Sequence, residues 1–328
     1  MGIRLATFDY KAPYFYMVTL KAEKGALPFV RIRREPLQDD SAHCHGRSGT
    51  RTSPARYIEA NAVTHAFRTV IMKLHEFWRC IEPVETFQIM PDHLHLLIKL
   101  KAVPDPKSLP VIVRHLMRQL EKAYLTAVSS RASAGGVPPL EHVFERDWHD
   151  WIVKKNGQLA AFTRYIRDNP RRAWLRASHR ENFRRVGELE FLGRKWFGYG
   201  NAALLELPVI EPFRCSRKWA EGGPEWRETV ARAERIGPGC AGIGTFMSPC
   251  EKACGNAIAK AGGKLIVLSP EGFGERWHPG PRHEPFCADG RMLFLSLYSE
   301  MARQPTRKEL YDRCHEMGDI VTEGLARQ

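Results

Sequence analysis

Two runs of strand length, residues 84–90 and 93–100, are separated only by Pro91-Asp92. Proline followed by aspartate between such runs is a turn signal. The second run, HLHLLIKL, is too apolar for a surface loop and too short for an ordinary helix. Any fold for this chain must therefore place two consecutive strands here. The flanking segments narrow the choice further. Residues 14–22 (YFYMVTLKA) alternate aromatic and β-branched side chains, as a strand does. Residues 61–79 carry Val63, Ala66, Phe67, Val70, Ile71, Leu74, Phe77 and Trp78 at helical spacing. Residues 109–128 form a second amphipathic helix with Leu116, Leu120, Tyr124 and Leu125 inward. Residues 144–153 read as a strand or hairpin edge. Residues 158–167 read as a third helix, stopped by Asn169-Pro170.

Strand, helix, strand, strand, helix, strand is a split βαβ order. It predicts an α+β, ferredoxin-like antiparallel sheet with helices on one face. The other face is left open for an extended ligand. The texture changes after about residue 205. Residues 241–247, 251–261, 264–269 and 292–298 read as strand, helix, strand and strand, with Gly and Pro dense between them. This predicts a smaller α/β, Rossmann-like unit with parallel strands. Two domains are expected, 1–200 and 201–328, the second an accessory domain.

Charge divides along the same line. Residues 1–200 hold 33 Lys+Arg against 20 Asp+Glu, while residues 201–328 hold 17 of each. The whole excess of +13 thus lies in the first part, which points to a polyanion partner there. No stretch of 18 apolar residues exists, so no membrane span is expected. The N-terminal residues show no leader pattern, and a cytoplasmic, nucleoid-associated location is expected. Eight cysteines occur without a CxxC pair, which argues against a zinc ribbon. Cys250 and Cys254, four apart, share a helical face, and the thiols are expected to be free. No GxGxxG or Walker sequence supports nucleotide binding.

Chemistry concentrates at two places. His93 and His95 are two apart on a strand, so both imidazoles project from one face and can hold one metal ion. A second HxH, His43-Cys44-His45, sits in a polar loop without an apolar frame and reads as incidental. Tyr165 and Asn169 are four apart near a helix end and share a face. Arg164, Arg167, Arg171, Arg172 and Arg176 surround or follow the tyrosine, with Trp174 among them. Such a cluster can hold phosphates, and an indole can stack on a base.

MPDHLHLLIKL resembles the MP-(N/D)-H-hydrophobic-H signature of the HUH single-tyrosine transposases. RYIRDNPRRAW resembles the tyrosine helix of the same group, in particular the REP-associated tyrosine transposases. YFYMVTLKA is similar to the first strand of that family, and DWHDWIVKK to the segment before its tyrosine helix. The resemblance covers residues 10–185. It implies that Tyr165 is the nucleophile and that His93, His95 and Asn169 bind a divalent metal, Mg²⁺ or Mn²⁺. Asp92 matches the polar residue before the first histidine, and it also serves as a turn residue. The resemblance further implies single-stranded or hairpin DNA as substrate, a 5′-phosphotyrosine intermediate, and either a monomer or a dimer. The long insertion between first strand and first helix departs from the family. Residues 213–298 faintly resemble the Rossmann-like domain of DNA-processing protein A. Two other classes compete: a non-catalytic DNA-binding regulator that keeps the fold, and an RNA-binding sheet module. A pure binder needs none of the four site residues, and an RNA module wants exposed aromatics on the motif strand.

Overall fold

The computed structural model describes residues 7–37, 53–129, 142–274, 277–299 and 305–327. The HCH loop at residues 43–45, and most of the 129–139 loop, lie outside the described residues. The chain is a mixture of α and β and divides into two compact units, Met1–Trp174 and Leu175–Gln328.

In the first unit, β1 is Phe15–Lys21 and the short pair β2 (Arg31–Ile32) and β3 (Ile58–Glu59) follows. Then come α1 (Ala62–Met72), α2 (Leu74–Phe77), β4 (Thr86–Ile89), β5 (His93–Lys99), α3 (Leu109–Ser129), β6 (His149–Val153) and α4 (Gln158–Ser178), the last running across the unit boundary. α1 starts where Asn61 and Thr64 close a reciprocal capping box, which satisfies two otherwise orphaned amides. The main sheet is antiparallel, with order β4-β5-β1-β6. Alternation along β1 and β5 sends Tyr16, Val18, Leu20, Leu94, Leu96 and Ile98 to one face. There they pack against Phe67 and Ile71 of α1 and Leu116 and Leu120 of α3. Phe29, Phe67, Phe144 and Tyr124 form an aromatic knot at the centre of this core.

The expectation of helices on one face holds for α1 and α3 only. α4 packs on the opposite face, where Ile166, Leu159 and Phe162 meet Met17 and Leu97. α4 also does not stop at Asn169-Pro170. It continues to Ser178 with Pro170 inside it. Proline removes one helical hydrogen bond and crowds the preceding turn. Burial of Ile166, Pro170 and Ala173 offsets that cost, so packing overrides the local stop signal.

In the second unit, β7 (Arg185–Phe191) and β8 (Arg194–Gly200) form a hairpin. They are followed by β9 (Val209–Pro212), α5 (Pro224–Glu234), β10 (Cys240–Gly244), α6 (Pro249–Lys260), β11 (Lys264–Leu268), α7 (Glu284–Ala288), β12 (Met292–Ser296) and α8 (Arg307–Leu325). The six-stranded sheet runs β7-β8-β12-β11-β10-β9, parallel from β9 to β12. β8 joins it antiparallel to β12. The change of texture near residue 205 therefore falls inside this unit, because the 185–200 hairpin pairs with a strand almost a hundred residues later. Gly200, at φ 113°, closes that pairing; a Cβ there would meet the Met292 carbonyl oxygen at 2.6 Å. One face of the sheet packs on α5, α6 and α7, and the other on Met317 and Val321 of α8. Among the described residues, no helix is long and apolar enough to cross a membrane.

Candidate active site on the open sheet face

Strand period two sets the site. On β5, His93, His95, Leu97 and Lys99 share the face opposite the main core. Register carries that face across the sheet. His95 lies opposite Thr19, which lies opposite His149; Leu97 lies opposite Met17, which lies opposite Trp151. The face is thus apolar at one end and polar at the other. α4 seats Ile166 and Phe162 on the apolar end and delivers Tyr165 to the junction. A cleft of about 700 Å³ remains across the junction, with His93, His95, Thr19, His149, Glu145 and Tyr165 on its wall beside Met17, Trp151 and Phe162.

The rings are in contact range. His93 and His95 have centroids 4.7 Å apart. His95 and Tyr165 lie 5.3 Å apart, edge to face. His93 Nδ1 is 2.7 Å from an Asp92 carboxylate oxygen, and His95 Nδ1 shares a 2.9 Å hydrogen bond with the Thr19 hydroxyl. With both Nδ1 atoms engaged, Nε2 is the nitrogen each ring keeps for a ligand. The Arg172 guanidinium lies 5.1 Å from the centroid of the Tyr165 ring.

Burial, then the neighbouring His93 and the Arg172 guanidinium, push the pKa of His95 down to about 3. His95 therefore stays neutral, as a metal ligand must, throughout the physiological range. The same shift fixes a pH dependence. The unfolded chain takes up this proton near the ordinary value of 6.5, and the native chain does so only near 3. Stability from this residue is complete above about pH 6.5 and falls as pH drops toward 3, by about 2 kcal/mol at pH 5. In urea unfolding, His95→Gln should flatten the pH dependence by that amount. An identical slope in wild type and variant would refute the burial effect.

Asn169 is buried one helical turn beyond Tyr165, and it is not on the cleft wall. Its side-chain Nδ2 has no hydrogen-bond partner among the described residues. Two imidazoles with Nε2 left for a ligand make a neutral nitrogen donor pair on the cleft wall that fits a divalent cation, and Asn169 does not stand on that wall with them.

The basic residues separate into two groups. Arg164 and Arg167 are exposed. Arg171 is half-buried and reaches Asp168 at 3.6 Å. Arg172 is only 2% exposed, so it faces the tyrosine and not an open phosphate surface. Arg176 is bound at 2.6 Å to the fully buried Glu284. Trp174 packs on Tyr57 and donates through Nε1 to the Arg34 carbonyl oxygen. The array expected from Arg164 to Arg176 is therefore exposed only at its start, because the C-terminal half of α4 is packed. Sequence reasoning missed Thr19, His149 and Trp151 as cleft residues. The two-residue period of β1 and β6 was the available signal. Arg172, expected to hold phosphate, instead faces the tyrosine; its place seven residues after Tyr165, on the same helical stripe, was the available signal.

No family model matches the chain, and no curated protein matches it. Ten chains of solved structures are similar to parts of it, three of them as follows. One is the REP-associated tyrosine transposase bound to a REP hairpin, at 14% identity and TM-score 0.30, covering 53% of this chain and 74% of that one. The second is DNA processing protein A from Helicobacter pylori, at 17% identity and TM-score 0.28, covering 40% and 64%. The third is DNA processing protein A from Streptococcus pneumoniae, at 16% identity and TM-score 0.32, covering 53% and 60%.

Proposed function

We propose that this chain cuts and rejoins single-stranded or hairpin DNA, as a transposase or nuclease of the HUH single-tyrosine type. The observation that carries this reading is the convergence of a phenol from α4 and two imidazoles from β5 on one cleft. A packing tyrosine needs no histidine pair with free Nε2 atoms, and a structural histidine pair needs no tyrosine at the mouth of a cleft. The ferredoxin-like reading of the first unit agrees with the strand order, and the Rossmann-like reading of the second agrees with its parallel strands. The first unit is assigned the chemistry and the second an accessory role. A cytoplasmic, nucleoid-associated location belongs to the same reading.

Tyr165 Oη attacks phosphorus, and the bond from phosphorus to the 3′ oxygen breaks. The products are a 5′-phosphotyrosine and a strand ending in a 3′-hydroxyl. The phenol loses its proton and the departing 3′ oxygen gains one. Glu145 and His149 line the same cleft and are the groups assigned to that proton traffic. Arg172 holds the ring and places positive charge beside the phenolate that develops. His93, His95 and Asn169 are the residues assigned to hold Mg²⁺ or Mn²⁺, the latter better matched to nitrogen donors. The ion supplies charge neutralisation at the scissile phosphate. Attack of the 3′-hydroxyl on the phosphotyrosine reverses the sequence and exchanges strands without ATP.

Labelled single-stranded DNA, duplex DNA and RNA, each with and without Mn²⁺, test the proposal on denaturing gels. A Mn²⁺-dependent covalent species with single-stranded DNA, mapped to Tyr165, is expected. Its absence from every substrate would leave a non-catalytic binder.

Trp151 is 62% exposed on the cleft wall and lies 6.4 Å from Phe162. A large indole so exposed suits a base-stacking platform. Trp151→Ala should weaken binding of single-stranded oligonucleotides by about 10-fold, within the range that one stacked base contributes. Equal affinity of variant and wild type in a fluorescence titration would remove Trp151 from the binding surface.

A further inference from the structure

Three cysteines of the second unit bring their sulfur atoms within 4.8 Å of one another: Cys215, Cys250 and Cys254. All three are buried. Cys250 and Cys254 stand on successive turns of α6, and Cys215 follows β9 in the chain. Sulfur ligands about 2.3 Å from a tetrahedral zinc ion lie roughly 3.8 Å from each other, so the observed spacing suits one ion with little rearrangement. A four-iron cluster is disfavoured, since it takes a fourth cysteine. Among the described residues, no fourth His, Cys, Asp or Glu joins the group.

Small thiols filling a core would also be buried. Two features go beyond packing. Cys250 lies in the first turn of α6, just after the Ser248 cap and Pro249, where the helix dipole favours negative charge. Glu251 then ties the cluster together. Its carboxylate accepts from the Thr245 hydroxyl at 2.8 Å and from the backbone amides of Met247 at 2.9 Å, Ser248 at 3.1 Å and Cys215 at 3.3 Å. The segment carrying one thiol is thereby pinned to the helix end carrying the other two, which is preorganisation of a ligand set. Cys215 also lines a cavity of about 520 Å³, although Cys250 and Cys254 do not.

We propose that Cys215, Cys250 and Cys254 bind one thiophilic divalent cation of the Zn²⁺ class, with a water or other exogenous donor completing its coordination. Thiolate sulfur selects such an ion over Mg²⁺, Mn²⁺ or Ca²⁺. Each ligating thiol gives up its proton on binding, so up to three protons are released. The site shares no ligand with the histidine site of the first unit.

The test uses the full chain, reduced and free of chelator, titrated with Co²⁺ and then Zn²⁺. A sulfur-to-cobalt charge-transfer band is expected at one ion per chain, and Zn²⁺ should bleach it. Histidine and amide ligands give no such band, so His93→Ala with His95→Ala should leave it intact and keep this outcome separate from the proposed DNA chemistry. Cys250→Ser and Cys254→Ser should each weaken Co²⁺ binding at least 10-fold, while Cys287→Ser, in the same apolar core, should not. The wild-type band needs no variant. Mass-spectrometric mapping of Zn²⁺-dependent protection from alkylation identifies the ligands should a serine variant fail to fold. No band in the reduced wild-type chain, Zn²⁺-dependent protection of other cysteines, or serine variants that fold and bind Co²⁺ normally would each overturn the site.

Discussion

Tyr165→Phe should abolish the covalent protein–DNA adduct while leaving the affinity for single-stranded DNA within a few-fold of wild type. The substitution removes one oxygen and keeps the ring that sits 5.3 Å from His95 and under the Arg172 guanidinium. Packing against Met17, Leu97 and Ile166 should survive, since phenylalanine fills the same space. The loss therefore falls on chemistry. Removing the attacking atom of a covalent mechanism costs on the order of 10⁴-fold or more in rate. Denaturing gels with a labelled oligonucleotide read the adduct, and a fluorescence titration reads binding. Adduct formation by Tyr165→Phe at wild-type rates would dismiss Tyr165 as nucleophile.

His93→Ala combined with His95→Ala should eliminate Mn²⁺-dependent cleavage. Asn169 alone offers a single neutral donor, too little to hold a hydrated divalent ion against water. The loss expected is at least about 10³-fold, the scale set by removing a main electrostatic stabiliser of a transition state. Wild type in chelator should fall to the same level. DNA binding should persist, because the exposed Arg164 and Arg167 are untouched. His95 is 5% exposed and joined to Thr19, so its truncation also perturbs packing. His95→Gln, which keeps volume and a polar partner for Thr19, separates the effects: it should fold normally and still lose metal-dependent cleavage. Cleavage by wild type that is indifferent to chelator would remove the metal from the mechanism.

That His93 and His95 share a face follows from strand period alone. That Tyr165 and Asn169 share a stripe follows from helix period alone. The amphipathic helices at α1 and α3, the strand pair around Pro91-Asp92 and the parallel unit from β10 to β12 were legible for the same reason. In each case the pattern lies within a stretch of some twenty residues or fewer, or is a repeat of such stretches.

Relations between distant stretches were not legible. The Thr19 hydroxyl meets His95 across 76 positions of chain, and the register that joins them exists only when β1 lies against β5. The placement of α4 opposite α1 and α3, and its passage through Pro170, depended on burial of Ile166 and Ala173 outweighing a local stop signal. Arg172, Trp174 and Arg176 looked like free basic and aromatic surface until a tyrosine ring, the Arg34 carbonyl oxygen and the buried Glu284 claimed them. The thiol of Cys215 joins Cys250 and Cys254 across the fold, where the Cys215 amide donates to Glu251 near the start of α6. Sequence by itself determined which residues share a face of one strand or helix, since that geometry repeats with the backbone's own period. Tertiary structure decided which faces meet, because that depends on how chain closure and burial balance over the whole fold, and no single segment carries that balance.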